Sequence, residues 1–363
     1  MSGWTFYNPV RVRFGEGVLS QIGELVDDRP YILVTHPDAP MIPWRTKIEQ
    51  HAGRALAVVD EIEPNPSLTM LKQICERLAG EGHRPELIVA LGGGSVIDSG
   101  KFLAAGHCAY DPVHAYLGDD KPFTRPSLPL IAIPTTSGTG SDLTKWATIW
   151  DPEHGQKLSL NRDDLYAEAT LVDPMLTVSL PWSMTVASGL DALSHALESL
   201  WNVNANPVSR THAVQAARDI MSGLPRLKNN LADAAARKLM ALGATRAGFA
   251  FSNTQTALAH NISYPLTLDH GLTHGIACSF CLPEVMRMVL GVNAECDAAL
   301  VGIFGDLNAA PETLRAFLND LDIPHSPAAI GVGAEEWRRI VTDAFAGPRG
   351  RNFIGKLEWF PFG

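Results

Sequence analysis

The chain is short of what a secreted, membrane-spanning or nucleic-acid-binding protein needs. Its five cysteines (Cys75, Cys108, Cys278, Cys281 and Cys296) are spread through 363 residues. That is too few and too scattered for a disulfide framework, and the odd count leaves one over, so reduced thiols are expected. No uninterrupted apolar run is long enough to cross a bilayer, and residues 1–15 lack the apolar stretch and cleavage site of a secretory signal. Basic residues are the minority, 29 against 39 acidic, for a formal net charge of -10. No Lys/Arg block interrupts that balance, which argues against a nucleic-acid or anionic-membrane surface. These absences leave a soluble, cytoplasmic protein of a length comfortable as two domains.

What is present falls into two textures. Short β-branched runs (31–35, 55–59, 87–91 and 130–134) alternate with helix-like stretches such as 67–80 and 95–107, the rhythm of parallel βαβ units. From about Pro181 the chain turns to long Ala/Leu/Met-rich segments (182–201, 209–224 and 230–251) that read as helices. The expectation is an α/β Rossmann-like domain over 1–178 followed by an all-α domain over 179–363.

Two loops in the first half can hold phosphates. Gly92-Gly93-Gly94-Ser95 follows an apolar strand and opens a helix carrying Asp98 and Lys101. Glycines let backbone approach a phosphate, and a helix N-terminus offers unpaired N–H groups. Alone, this is equally a tight strand-to-helix turn. A second loop, Pro134-Thr135-Thr136-Ser137-Gly138-Thr139-Gly140-Ser141-Asp142, also follows an apolar strand, and two such loops at one sheet end point to a nucleotide site.

In the second half, Asp191 and His195 stand four apart on one helix face, a spacing that permits a shared ion. Further on come His260, His270 and His274. On one straight helix His260 and His274 would be roughly 21 Å apart, but Pro265 and Gly271 can break the segment. A carboxylate with imidazoles suits Fe(II), Zn(II) or another first-row ion. Spacing leaves open whether His260 or His270 completes the set with His274.

The GGGSxxDxxK loop, the TTSGTGSD loop and the DxxxH, His260 and His274 arrangement together resemble the iron-containing (group III metal-dependent) alcohol dehydrogenases. Phe14-Gly15-Glu16-Gly17, Pro64-Asn65-Pro66 and Val172-Asp173-Pro174 extend the resemblance over nearly the whole chain. It implies the dehydroquinate synthase-like fold of that family: a dinucleotide-binding domain and a helical metal domain, commonly assembled as a homodimer. It also implies Asp191, His195, His260 and His274 as metal ligands. The implied NAD(P) contacts are Asn65, Gly93, Gly94, Ser95, Asp98, Thr135, Thr136 and Thr139, with Thr144 and Lys157 nearby.

Two positions depart from the family pattern. Where most members carry a histidine associated with proton transfer, four residues after His260, this chain has Tyr264. A phenol can donate a proton where a cation stabilises its phenolate, and His270 is a substitute relay. Where many NAD-dependent members have an aspartate facing the ribose, this chain has His36, which removes the repulsion against a 2′-phosphate and admits NADPH as well as NADH. Tyr264-Pro265-Leu266-Thr267, His274-Gly275-Ile276-Ala277-Cys278-Ser279 and Trp146-Ala147-Thr148-Ile149-Trp150-Asp151 look most like the phosphonoacetaldehyde reductase branch, which makes 2-hydroxyethylphosphonate. An anionic tail needs a cation, and Lys145, Lys228, Arg351 and Lys356 are the candidates. A general short-chain or diol alcohol dehydrogenase shares every motif. A nucleotide- and metal-binding protein without turnover is the reading from another class.

Overall fold

A computed structural model describes residues 3–119, 121–324 and 326–362. The strands are β1 (Arg11–Phe14), β2 (Tyr31–Val34), β3 (Ala57–Val59), β4 (Leu87–Gly92), β5 (Leu130–Pro134), β6 (Trp146–Asp151), β7 (Gln156–Asn161) and β8 (Ala169–Val172). The first helices are α1 (Ile22–Val26), α2 (Ile42–Ala52), α3 (Leu68–Glu81), α4 (Gly94–Gly106) and α5 (Asp111–Asp119). Then come α6 (Trp182–Leu200), α7 (Pro207–Asn229), α8 (Ala234–Thr254), α9 (Leu258–Leu268), α10 (His274–Ser279), α11 (Leu282–Arg287), α12 (Ala294–Phe304), α13 (Ala310–Asp320) and α14 (Ala334–Ala346).

Six strands form one parallel sheet in the order β1-β8-β5-β4-β2-β3. Every residue of β2, β4 and β8 is buried, as a sheet covered on both faces requires, and this is why those strands read as continuous apolar runs. β6 and β7 form a separate antiparallel hairpin. The four runs expected as strands became β2, β3, β4 and β5. The edge strand β1 (RVRF) and the hairpin strand β7 (QKLSLN) are too polar to stand out. Ser67 caps α3 by accepting from the Met70 amide at 3.2 Å, one of the orphan donors that any helix start must satisfy.

The helical unit is built around α6, α7 and α8. Asn206 and Ser209 form a reciprocal capping box ahead of Pro207 at the start of α7, and Asp233 caps α8, so both long helices begin at side-chain signals written in the local sequence. No described helix is long and apolar enough to cross a membrane.

The compact units divide between Ser179 and Leu180, with one difference from a continuous first domain: residues 3–7 and Ser137–Gly140 group with the helical unit. Phe6 stacks on His212 and the Tyr7 amide donates to Asn253 Oδ1 at 2.8 Å. Gly138 and Gly140 lie so close to Ser188 and Phe251 that a Cβ on either would collide. Those glycines serve packing.

Candidate metal centre and nucleotide loops

In the sheet unit, β4 runs directly into α4 through Gly93, and no side chain caps that helix. Its first N–H groups are thereby left for an anion. A Cβ on Gly93 would stand 3.2 Å from Thr136, which brings the two phosphate-type loops against each other. Asn65 adopts a left-handed φ of 59° and its amide donates to Ser95 Oγ at 3.2 Å. The Pro64-Asn65-Pro66 turn is thus tied to the loop. Thr135 is buried, Thr136 half-buried and Thr139 exposed.

The structure gives Asp98 and Thr144 work inside the fold. Asp98 accepts from Ser141 Oγ and from the Thr148 amide at 2.9 Å, and burial raises its carboxyl against the pull of Lys101. The Lys101 ammonium, fully buried, donates to the carbonyls of Ser141, Thr144 and Trp146 at 2.6, 2.8 and 2.7 Å, and to Thr144 Oγ1 at 3.2 Å. The Asp and Lys of the first motif therefore clamp the second loop and the root of the hairpin onto α4. Lys157, on β7, sits 5.5 Å over the Trp150 ring. His36 Nδ1 lies 3.2 Å from the Ile62 carbonyl.

In the helical unit α6 presents Asp191, His195 and Glu198 on one face, at steps of four and three. Three imidazole nitrogens face a single oxygen, Asp191 Oδ1: His260 Nε2 at 3.4 Å, His195 Nε2 at 3.7 Å and His274 Nε2 at 3.9 Å. These distances are too long for hydrogen bonds. Asp191 Oδ1 and His260 Nε2 are buried without a hydrogen-bond partner, a costly state unless a cation lies between them. Asp191, His260, His274 and Cys278 each offer one ligand atom within 4.8 Å of the others. The residues present therefore fit a metal ion. His195 stands just outside that mutual set, stacked between Phe251 and His260 at ring separations of 3.9 and 4.7 Å. His274 is the open member, 39% exposed against 4% for His260, so the cluster is approached from its side.

The electrostatics follow from burial and crowding. Burial would raise the Asp191 carboxyl, but the imidazoles, His195 first, hold it well below the carboxylate range. Burial keeps His195 neutral by lowering it to about 4. The Cys278 thiol, pushed up by burial, is brought down to about 7 by His260 and His274.

Two residues here escaped the reading of the sequence. Cys278 lies four after His274, with Sγ 3.6 Å from its Nε2, and that spacing was the available signal. Glu198, wholly buried, accepts from His260 Nδ1 at 2.5 Å and from the amides of Ala257, Ala259 and His260 at 3.1, 2.6 and 3.3 Å. It caps α9, which has no side-chain cap of its own, and by holding the proton on Nδ1 it turns the His260 Nε2 lone pair toward Asp191.

The break between His260 and His274 also differs in detail from expectation. Pro265 sits inside α9, which runs on to Leu268, and the reversal comes at Gly271, φ 68°. Proline within the helix costs only the bond to the Asn261 carbonyl, whereas glycine supplies the left-handed turn. His270 does not join the converging atoms; its Nε2 lies 3.0 Å from Glu336 Oε1. Tyr264, one turn after His260, lies under the Arg349 guanidinium at 4.9 Å. The four cations suggested for an anionic tail are not set up for it. Lys145 pairs with Asp163 at 2.6 Å, Lys228 pairs with Asp322 at 2.7 Å, and Arg351 and Lys356 are exposed.

Comparison with known proteins agrees with this layout. A family model described as iron-containing alcohol dehydrogenase matches residues 9–174, and its C-terminal companion matches 185–354. The chain is 30% identical to sulfoacetaldehyde reductase of Bilophila wadsworthia, over 87% of this chain and 85% of that one. It is 35% identical to phosphonoacetaldehyde reductase of Streptomyces viridochromogenes, over 56% and 53%. A crystal structure of sulfoacetaldehyde reductase from Bifidobacterium kashiwanohense in complex with NAD+ superposes with a TM-score of 0.90 at 26% identity, covering 98% of this chain and 96% of that one. A metal-shaped cluster on a helical unit, glycine loops on a parallel sheet and these matches make the chain a member of the iron-containing alcohol dehydrogenase family, an oxidoreductase that interconverts alcohols and aldehydes.

Proposed function

We propose that the protein reduces a small aldehyde bearing an anionic tail, 2-phosphonoacetaldehyde to 2-hydroxyethylphosphonate, with NADH or NADPH. The observation that carries the chemistry is the convergence of imidazole nitrogens on the unbonded Asp191 Oδ1. The substrate class rests on two relatives named as reductases of two-carbon aldehydes that end in a tetrahedral oxyanion. A divalent ion, Fe(II) or Zn(II), held by Asp191, His195, His260 and His274 supplies Lewis acidity at the carbonyl oxygen, and the reduced nicotinamide supplies hydride.

The remaining work falls to side chains. Asp191 offsets the charge of the ion, and Glu198 fixes the tautomer and direction of His260. Gly93, Gly94 and Ser95, with Asn65, Thr135, Thr136 and Thr139, hold the dinucleotide, its phosphates at the uncapped start of α4. Tyr264 Oη, one turn beyond His260, returns the proton to the product oxygen; His270 is the weaker candidate because its ring is engaged by Glu336.

The test is the loss of nicotinamide absorbance with NADH and with NADPH, on phosphonoacetaldehyde, sulfoacetaldehyde and propanal, after loading Fe(II) or Zn(II) anaerobically. Preferred turnover of an anionic aldehyde supports the reading. Activity on propanal alone leaves a general short-chain alcohol dehydrogenase, and silence on every aldehyde leaves a binding protein. Two variants test the roles: His274→Ala should lose metal and activity together, and an unchanged rate and pH profile in Tyr264→Phe would remove the tyrosine from proton transfer.

A further inference from the structure

A substrate with a phosphonate or sulfonate tail needs a cation that is partly desolvated and not already neutralised, since an exposed or paired one contributes little. The four cations offered by the sequence fail that requirement. Arg349 meets it. Arg349 is half-buried, and among the described residues its guanidinium has no carboxylate within salt-bridge distance and no hydrogen-bond partner. It lies over the face of Tyr264, 4.9 Å away. Burial lowers its pKa, with Glu198 pulling the other way. Arg237, 2% exposed, is by contrast engaged by the Leu231 and Leu180 carbonyls and Thr185 Oγ1.

The backbone holds Arg349 in place. Asn261, the residue after His260, donates to the Ala344 carbonyl at 2.6 Å at the end of α14. Gly347 lies so near the Asn261 amide that a Cβ would overlap it, and a Cβ on Gly350 would overlap the carbonyls of Ala344 and Phe345. Arg349 is thus carried on a short turn pressed against α9 by glycines on both sides. Tyr264 follows His260 by four residues and shares its helix face, roughly 6 Å along the axis. In a two-carbon aldehyde the carbonyl oxygen and the phosphorus or sulfur are three bonds apart, roughly 4 Å, and a charge-assisted N–H···O contact adds roughly 2.8 Å. The guanidinium lies 4.9 Å from the ring of Tyr264, one helical turn beyond His260, on the side toward which such a tail would extend.

We propose that Arg349 is the substrate-specificity residue, its guanidinium binding the tetrahedral oxyanion of an aldehyde whose carbonyl oxygen lies at the Asp191–His260–His274 cluster. This rests on the anionic-aldehyde reading above. The face of Tyr264 keeps the guanidinium plane in position, and the planar fork gives two parallel bonds to one oxyanion.

The experiment compares wild type, Arg349→Lys and Arg349→Gln in the metal-loaded protein. One readout is the ratio of kcat/KM for phosphonoacetaldehyde, and for sulfoacetaldehyde, over that for propanal. The second is binding of methylphosphonate by titration calorimetry, which needs no turnover. In Arg349→Gln both ratios should fall about 100-fold or more, as losing two bonds to a charged group implies, and methylphosphonate binding should vanish. Arg349→Lys, which keeps the charge but not the fork, should fall between and serves as the test if the glutamine variant does not fold. Metal content is checked in each variant. A wild type that prefers anionic aldehydes with a variant that keeps both the preference and methylphosphonate binding would overturn the Arg349 assignment alone. Equal losses on charged and uncharged aldehydes would make Arg349 a packing residue and overturn it too. A wild type with no anionic preference and no methylphosphonate binding would overturn the substrate reading and this inference with it.

Discussion

Replacing Glu198 by glutamine isolates what orients the metal centre. Each carboxylate oxygen serves two donors: Oε1 takes the amides of Ala259 and His260, and Oε2 takes the Ala257 amide and His260 Nδ1. A carboxamide has one acceptor oxygen, so in Glu198→Gln its NH2 faces two donors whichever way it turns. Turned toward the imidazole, it forces the proton onto His260 Nε2 and blocks the lone pair that faces Asp191. Turned toward the helix start, it strands two backbone N–H groups at about 1–3 kcal/mol each, so the fold loses about 2–6 kcal/mol. Loss of the charge also makes His260 a poorer donor. Partners of this kind are worth about 10- to 100-fold in metal affinity, or about 1.4–2.7 kcal/mol. Chelator competition with Zn(II), beside thermal unfolding of the metal-free protein, reads both terms. Wild-type metal affinity to within about twofold, with no fall in Tm, would refute the claim that Glu198 positions a metal-binding His260.

Three further outcomes are expected. A Cβ in Gly275→Ala would run into the Ala187 carbonyl on α6 and stand 3.1 Å from Asp191 Cβ, so α10 must shift with His274 and Cys278, at about 1–3 kcal/mol of overpacking. Metal retained after gel filtration should drop together with Tm, and full retention would show that α10 is not part of the site. Gly93→Ala brings no backbone strain, since φ is -79°, but fills the space beside Thr136; NADH affinity should fall about tenfold or more by titration while metal affinity stays, and unchanged NADH binding would move the phosphates elsewhere. Burial brings the Lys101 ammonium from 10.5 down to about 8. The folded state therefore carries this proton at a cost below pH 8, and between that pH and 10.5 the unfolded chain binds more protons. Stability from this group then rises with pH, by up to about 1.4 kcal/mol per pH unit. Lys101→Met should be about 3–5 kcal/mol less stable, because it leaves buried Asp98 and Asp142 without their cation, and urea unfolding should show wild type pulling further ahead as pH rises from about 8; a narrowing gap would reverse the sign argument.

Local signals in the chain were enough for much of this protein. An apolar run followed by Gly92-Gly93-Gly94-Ser95 reads as a strand turning sharply into a helix, and Gly92 closes β4 while Gly94 opens α4 with only Gly93 between them. Asp191 and His195 were placed on one face by helical periodicity alone, and the segment read as helical from residue 209 is α7, which starts two residues earlier at Pro207 behind its Asn206 cap. Periodicity says nothing about what lies opposite. Asp98 and Lys101 share a motif with the phosphate loop, yet they face the root of the β6–β7 hairpin, because that hairpin folds over α4 and its buried carbonyls need a donor. Spacing left His260 and His270 open and the family resemblance chose His260; in the fold His270 faces Glu336 instead. Glu198 and Arg349 had no local mark of function, and Cys278 had only its spacing of four from His274. Their roles depend on α6, α9, α10 and the turn after α14 being packed together, since a buried carboxylate, thiol or guanidinium takes its chemistry from the groups that replace water around it, and only the tertiary structure chooses them.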